Sequence, residues 1–132
     1  MIKWLNGLQP FGALHLRLVL GTSMIFHGYS KVVPHGGLEH HAHFVASLGL
    51  PYWLGYVSAI TEFAGGILLI LGLLTHLVAF MVAINMLVAI AMVNRHHGYP
   101  GSEYSLALFV IALMLTFYGP GTAALDRKLN LA

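Results

Sequence analysis

The chain has 132 residues, 58% of them hydrophobic and only 8% charged, where a soluble domain carries roughly a quarter charged residues, so an aqueous globular class is excluded. Its net charge of +2 comes from scattered basic residues that form no clustered basic face, which sets nucleic acid aside as a partner. With no cysteine, the chain forms neither a disulfide nor a thiolate metal site, and any thiol chemistry belongs to a partner or a substrate.

The composition points to one integral membrane domain over residues 1–132, in contact with the lipid bilayer. The first apolar segment, residues 13–31, follows Lys3 and is interrupted by Arg17. A cleaved signal peptide would carry its small-x-small site after the apolar run; the nearest candidate, Gly21 to Ser23, lies inside it, so the segment reads as a retained helix. The connection that follows, "VVPHGGLEHHAHFVASLGLPYW", has Pro34 and Pro51 near its ends and Leu38, Ala42, Val45 and Leu48 at helical spacing, which predicts a short helix lying in the membrane interface. Tyr52 and Trp53 fit an aromatic belt. Spans over 52–74, 76–94 and 102–119 complete the set, the last being short for ~30 Å of hydrocarbon. Short connections at Thr75-His76 and from Asn94 to Ser102 make neighbours antiparallel. The expected fold is therefore all-α: an integral membrane antiparallel four-helix bundle with a short interfacial helix between the first two spans. Lys3, Arg127 and Lys128 on the terminal side, against Lys31 and Arg95 on the other, favour cytoplasmic termini in a bacterial or archaeal inner membrane.

Inside the second span, "YVSAITEFAGGILLILGLLT" encloses Glu62. A carboxylate costs ~2.5–3.5 kcal/mol on the insertion scale against ~0.3–0.6 kcal/mol gained per apolar residue, so the span still inserts and the acid must serve the interior. Ser58, Glu62, Gly65, Leu69 and Gly72 share one stripe at ~100° per residue, and its small residues let a neighbouring helix come close. Counting ~1.5 Å per residue from the non-terminal side puts Glu62 and Asn85 about 15 Å deep and Arg17 about 21 Å deep, from where its long side chain reaches their level. The expected interior contact is an Arg17–Glu62 ion pair with Asn85 beside it, read either as a lock on helix packing or as a ligand-binding or proton-handling site.

His27, Lys31, His96, His97 and Glu103 gather near the non-terminal surface, where they would frame a mouth that attracts an anion or exchanges protons. Imidazole and carboxylate together suit a metal, yet the spacing matches no metal motif; no metal is assigned, and His27, His96 and His97 remain the weak candidates. In "HHAH", only His40 and His43 share a helical face. Met24, Tyr56, Met81, Met92, Met114 and Phe117 read either as ordinary core or as the wall of a cavity for a flat apolar ring with polar edges, such as a quinone headgroup.

The order "RLVLGTSMIFHGYSKV", "LGLPYW", "TEFAGGILLILGLLTHLVAF", "RHHGYPGSEYSL" and "YGPGTAALD" resembles the DoxX family of small four-helix membrane proteins across nearly the whole chain. The resemblance is carried by Arg17, Gly21, Gly28 to Lys31, Glu62, Gly65-Gly66, Gly72, Glu103, Gly119 to Gly121 and Asp126 in combination. It implies a membrane component of a redox system. One branch is similar to the small subunit of archaeal thiosulfate:quinone oxidoreductase, others accompany superoxide dismutase and a thiol oxidoreductase, and a related protein assists maturation of a disulfide-rich periplasmic enzyme. It also implies that Arg17, His27, Lys31, Glu62 and Glu103 are the recurrent polar positions, while the histidines of "EHHAHF" fall outside the pattern. The expectation is a membrane subunit of a redox assembly that binds a quinone-like or small anionic ligand or docks an oxidoreductase, with thiol or sulfur-compound oxidation implied by the resemblance alone. A non-enzymatic accessory subunit stabilising a larger complex is the alternative, and a histidine-based metal or haem site at His27 with His96 or His97 is a third. A protein partner and homo-oligomers are both compatible with this reading.

Overall fold

The computed structural model describes residues 2–132, which are all-α with no strand among them. A 3-10 turn, Lys3–Leu8, leads into α1 (Gln9–Val32), where Pro10 occupies the first turn, a position whose N–H has no partner within the helix in any case. Lys31 lies in the last turn of α1, and Pro34 follows shortly after, so the helix stops there. Next come α2 (Gly37–Ser47) and α3 (Trp53–Leu71). Gly72 closes α3 in the left-handed conformation (φ 67°) and donates to Leu69 O, while Leu73 donates to Leu68 O, the paired bonds of a Schellman cap. The chain turns at once into α4 (Thr75–Met92), then passes a 3-10 turn at Asn94–His97 into α5 (Gly98–Tyr118) and a last turn, α6 (Leu125–Lys128).

Among the long helices, α1 packs against α3 and α5, and α4 packs against α3 and α5. The α1–α3 seam is made of glycines. A Cβ on Gly21 would sit 2.7 Å from Gly66 O, one on Gly66 2.7 Å from Gly21 O, and one on Gly28 would run into the backbone of Phe63. In hydrocarbon, where no hydrophobic force drives helices together, this closeness supplies the dispersion contacts that hold two backbones side by side. It also fixes the axial register: Gly28 is level with Phe63, Gly21 with Gly66, and Arg17 with Gly72. Between the helices lies a core of Leu20 and Met24 from α1, Leu69 from α3, Val78 through Met86 on one face of α4, and Leu108, Ala112 and Leu115 from α5.

Among the described residues, three helical stretches are long and apolar enough to cross a membrane: Trp53–Leu71, Thr75–Met92 and Asn94–Tyr118. The expected first span over 13–31 is helical but falls outside that set. Arg17, His15 and His27 lower its hydropathy, although the 24 residues of α1 are long enough to cross. The helix expected between the first two spans forms as α2, which lays Ala42 and Val45 inward, Ala42 against Gly55 of α3.

Candidate functional site

Where α2, α3 and α4 meet, a cavity of about 460 Å³ opens, in the size range of small-molecule sites. Most of its wall is apolar, from Phe44 and Leu48 of the α2 region, Val57 of α3, and Met81, Ile84 and Met92 of α4. Lys31, His41, Ser58, Glu62 and Asn85 form a polar corner of it, and Thr61 and Asn94 also line the wall. Lys31 Nζ donates to Glu62 Oε2 at 2.5 Å, Asn85 Nδ2 to Glu62 Oε1 at 2.9 Å, and Ser58 Oγ to Asn85 Oδ1 at 2.9 Å. His41 Nε2 completes the chain at 3.4 Å from Ser58 Oγ.

The direction of each bond follows from the first. The carboxylate only accepts, so Asn85 turns its amide nitrogen to Glu62 and its oxygen to Ser58; the Ser58 hydrogen is thereby committed, and His41 Nε2 must be the donor to Ser58. Both oxygens of Glu62 have a partner, which is what permits a carboxylate whose side chain is 5% exposed to remain in the interior. The Lys31 side chain keeps 26% exposure, so the ammonium end of the pair reaches the cavity. His41 is held below its ordinary value of 6.5, first by burial, then by the Lys31 ammonium and by His40, with the Glu62 carboxylate acting in the opposite sense.

The expected Arg17–Glu62 ion pair does not form. The glycine seam sets Glu62 level with the end of α1, and fourteen residues, about 21 Å of helix at ~1.5 Å each, separate Arg17 from Lys31. A depth count assumes that the two helices start on one plane, whereas close packing puts Phe63 level with Gly28, three residues before Lys31, so the lysine takes the role expected of the arginine. Arg17 is fully buried at the other end, where Nη1 donates to Pro120 O (2.7 Å) and Thr122 O (3.4 Å) and Nη2 to Ala123 O (3.1 Å). A Cβ on Gly72 would collide with Arg17 Nη1, so that glycine leaves the guanidinium its space. Asp126 accepts from Leu74 N (2.6 Å) and Thr75 N (2.8 Å), capping the start of α4, and its own N–H returns to Gly72 O at 2.8 Å. The arginine ties the chain after α5 to α1, and the aspartate ties it to the turn between α3 and α4.

The expected mouth of His27, Lys31, His96, His97 and Glu103 is not assembled. His27 approaches the hydroxyl of Tyr104 at 3.3 Å, Lys31 turns to Glu62, and His96, His97 and Glu103 are exposed. Among the described residues no group of three or more His, Asp or Glu side chains is placed to hold a metal ion. Of the expected lining, Met81 and Met92 face the cavity. Met24 is buried in the core, Tyr56 turns its hydroxyl to Tyr52 (3.4 Å), and Met114 and Phe117 are exposed on α5. Two members of the polar corner, Ser58 and His41, are not among the residues selected from sequence. Ser58 lies on the Glu62 stripe and signals itself by its spacing of four. Nothing local marks His41 as a neighbour of Ser58.

A helical chain with three helices long and apolar enough to cross a membrane among its described residues, and a carboxylate satisfied in the interior, has the character of an integral membrane protein. Residues 12–95 match the DoxX family model, and the chain belongs to that family. It is 34% identical over 123 residues to "Putative oxidoreductase CatD" of Bacillus subtilis (strain 168), covering 92% of this chain and 90% of that protein. It is 31% identical over 132 residues to an uncharacterised protein of Haemophilus influenzae, covering 91% and 92% of the two chains. It is 25% identical over 127 residues to the inner membrane protein YqjF of Escherichia coli (strain K12), covering 93% and 95%. No solved structure matches the chain.

Proposed function

We propose that the protein is a membrane subunit of a redox assembly and that the cavity between α2, α3 and α4 holds a quinone-like headgroup. The observation that carries this reading is the contrast within one cavity: an extended apolar wall with a single hydrogen-bonding corner around Glu62. A flat ring with polar edges matches that contrast, its face on the methionines and aliphatic side chains and one edge at Asn85 and Lys31. Cavity residues Val57, Ile84 and Val88 are 42%, 48% and 39% exposed, so the cavity opens sideways between two helices that can each cross a membrane. A ligand dissolved in hydrocarbon has a route in. The oxidoreductase name of the Bacillus subtilis relative supports the redox assignment. A quinone accepts two electrons and two protons in becoming a hydroquinone; without cysteine this chain offers no thiol relay, and the electrons come from a partner protein.

The corner favours a neutral ligand over a small anion, because the Lys31 charge is already matched by Glu62 at 2.5 Å. In the same reading residues 1–132 form one domain in which α1 is the fourth span and α2 lies at the interface. Its two interior cations support that placement, since Arg17 and Lys31 each have protein acceptors and neither faces lipid unpaired. Termini in the cytoplasm of a bacterial inner membrane follow from the Lys3, Arg127 and Lys128 bias, and the inner-membrane relative supports the compartment.

The test uses purified protein in lipid nanodiscs titrated with tetramethyl-1,4-benzoquinone by calorimetry. Saturable binding is expected, weakened about tenfold in Asn85→Leu, the equivalent of one hydrogen bond of ~1.4 kcal/mol. Absence of saturable binding at the solubility limit, or equal binding by the Asn85→Leu protein, defeats the assignment of this cavity.

A further inference from the structure

A second cavity, of about 370 Å³, lies where α4 begins and α5 ends, bordered by His76, Tyr118, Pro120, Gly121, Arg127 and Ala132. We propose that it takes the headgroup of an anionic phospholipid, a phosphodiester that carries a hydroxyl group. Nothing in this reading depends on the cavity at Glu62.

The charge is set by Arg127. Of the four acidic residues, Glu62 pairs with Lys31, and Asp126 turns its two oxygens to Leu74 N and Thr75 N. Glu39 on α2 and Glu103 near the start of α5 belong to the other end of the bundle. Among the described residues Arg127 therefore forms no ion pair, not even with Ala132 at the same cavity. Its exposed side chain keeps a planar fork of N–H donors, which matches two oxygens of a phosphate. The N–H of Gly121, on the same border, also has no acceptor among the described residues.

The hydroxyl is called for by His76. Its Nδ1 lies 2.8 Å from Thr116 O, and a carbonyl only accepts, so Nδ1 carries the hydrogen. In the neutral ring Nε2 is then an acceptor, and Gly119 leaves it room, since a Cβ there would stand 2.8 Å away. Such a lone pair repels a phosphate oxygen. It accepts from a hydroxyl further along the headgroup.

A lipid, as opposed to a free phosphate ester, fits what adjoins the cavity. His76 and Tyr118 stand at one end of two helical stretches that are each long and apolar enough to cross a membrane. At ~100° per residue, Phe80 follows His76 on one face of α4 and Met114 precedes Tyr118 on one face of α5. Both are exposed, as is Phe117. Acyl chains attached to a headgroup in the cavity meet these side chains, while the Tyr118 ring sits where an apolar body and a polar tip are both accommodated.

The experiment is native mass spectrometry of the protein in detergent micelles, titrated with dioleoyl phosphatidylglycerol, with dioleoyl phosphatidylethanol, which has the same charge and no hydroxyl, and with zwitterionic dioleoyl phosphatidylcholine. Phosphatidylglycerol is expected to bind about tenfold more tightly than phosphatidylcholine and about threefold more tightly than phosphatidylethanol, the effects of one charge-assisted and one neutral hydrogen bond. Arg127→Gln should weaken it about tenfold, whereas Lys128→Gln, which alters an exposed neighbour outside the cavity, should change it less than about twofold. His76→Leu should remove the preference over phosphatidylethanol. Equal binding of phosphatidylglycerol and phosphatidylcholine, equal losses in the two cation variants, or binding of free glycerol 3-phosphate as tight as that of the lipid overturns the site. Phosphatidylethanol binding as tightly as phosphatidylglycerol overturns the role given to His76 and the hydroxyl.

Discussion

The ion pair at the cavity corner can be assigned energetically by a double-mutant cycle that also tests the register of α1 against α3. Lys31→Met leaves the Glu62 carboxylate, 5% exposed, with Asn85 as its one remaining partner. Breaking a fully buried pair costs ~3–5 kcal/mol. With Lys31 26% exposed, water partly replaces the lost ammonium, and a loss of about 2–3 kcal/mol is expected. Glu62→Gln removes the charge, so adding it to Lys31→Met should recover most of that loss, giving a coupling energy of at least ~1 kcal/mol. Arg17→Gln is a different perturbation. It strands the carbonyls of Pro120 and Ala123 and destabilises on its own account, yet combined with Glu62→Gln it should add within ~0.5 kcal/mol, as expected of sites about 15 Å apart, the ten residues of helix between Glu62 and the Gly72 that Arg17 touches. The measurement is reversible unfolding from mixed micelles by SDS, followed by circular dichroism at fixed lipid composition. Strong coupling of Arg17 to Glu62 together with additivity of Lys31 and Glu62 would refute both the pairing and the glycine-set register.

Asp126→Ala removes the acceptor of two N–H groups at the start of α4 from a residue 1% exposed, and should cost about 2 kcal/mol in the same unfolding assay, with Asp126→Asn recovering part of it. Gly28→Ala drives a methyl into the backbone of Phe63 and is expected to lose ~1–3 kcal/mol, whereas Gly12→Ala, with nothing within 4 Å, should be neutral or gain up to about 1 kcal/mol; equal effects would show that the seam does not exist. His41 yields a pH dependence of known sign. Its folded value lies below 6.5, so the unfolded chain binds more protons between that lowered value and 6.5, and stability falls as pH drops through this window. Subtracting the His41→Gln profile from the wild-type profile isolates this slope from the other histidines, and a difference that rises with acidification would contradict it.

Much of the helical content was legible because apolar runs of 18 residues or more leave the backbone little choice but helix, and Gly72 and Pro34 mark where helices stop. The nearness of Glu62 to Asn85 was legible too, since both distances were counted from the same membrane face. The partner of Glu62 was not. Depth counting assumes that helices begin at a common plane, and an error of one turn, ~5.4 Å, is enough to exchange one partner for another. The glycines carried the missing information: Gly21, Gly28 and Gly66 specify contact, and contact specifies register, but from sequence they could be read only as a surface that some helix approaches. The mouth expected of His27, His96, His97 and Glu103 failed for a related reason. Shared depth does not give shared azimuth, and the turn at Asn94–His97 carries its histidines outward.

The two cations of α1 divide their work by the acceptors that surround them. Arg17 meets main-chain carbonyls, fixed in direction by a turn that Gly119 (φ 92°) and Gly121 (φ 69°) allow, and a planar guanidinium satisfies several such oxygens at once from Nη1 and Nη2. Lysine in that place would retain the charge but lose the fork, and with it a tie between the turn after α5 and α1. Lys31 meets one carboxylate oxygen with a point charge on a flexible stem, an arrangement that leaves two ammonium hydrogens free of Glu62 at a cavity wall. A fully buried residue whose Nη1 and Nη2 groups are turned to backbone carbonyls can fasten a fold but has little to offer a ligand. A partly exposed one with donors to spare can do both, which is why the functional reading follows Lys31 and Glu62 and leaves Arg17 to architecture.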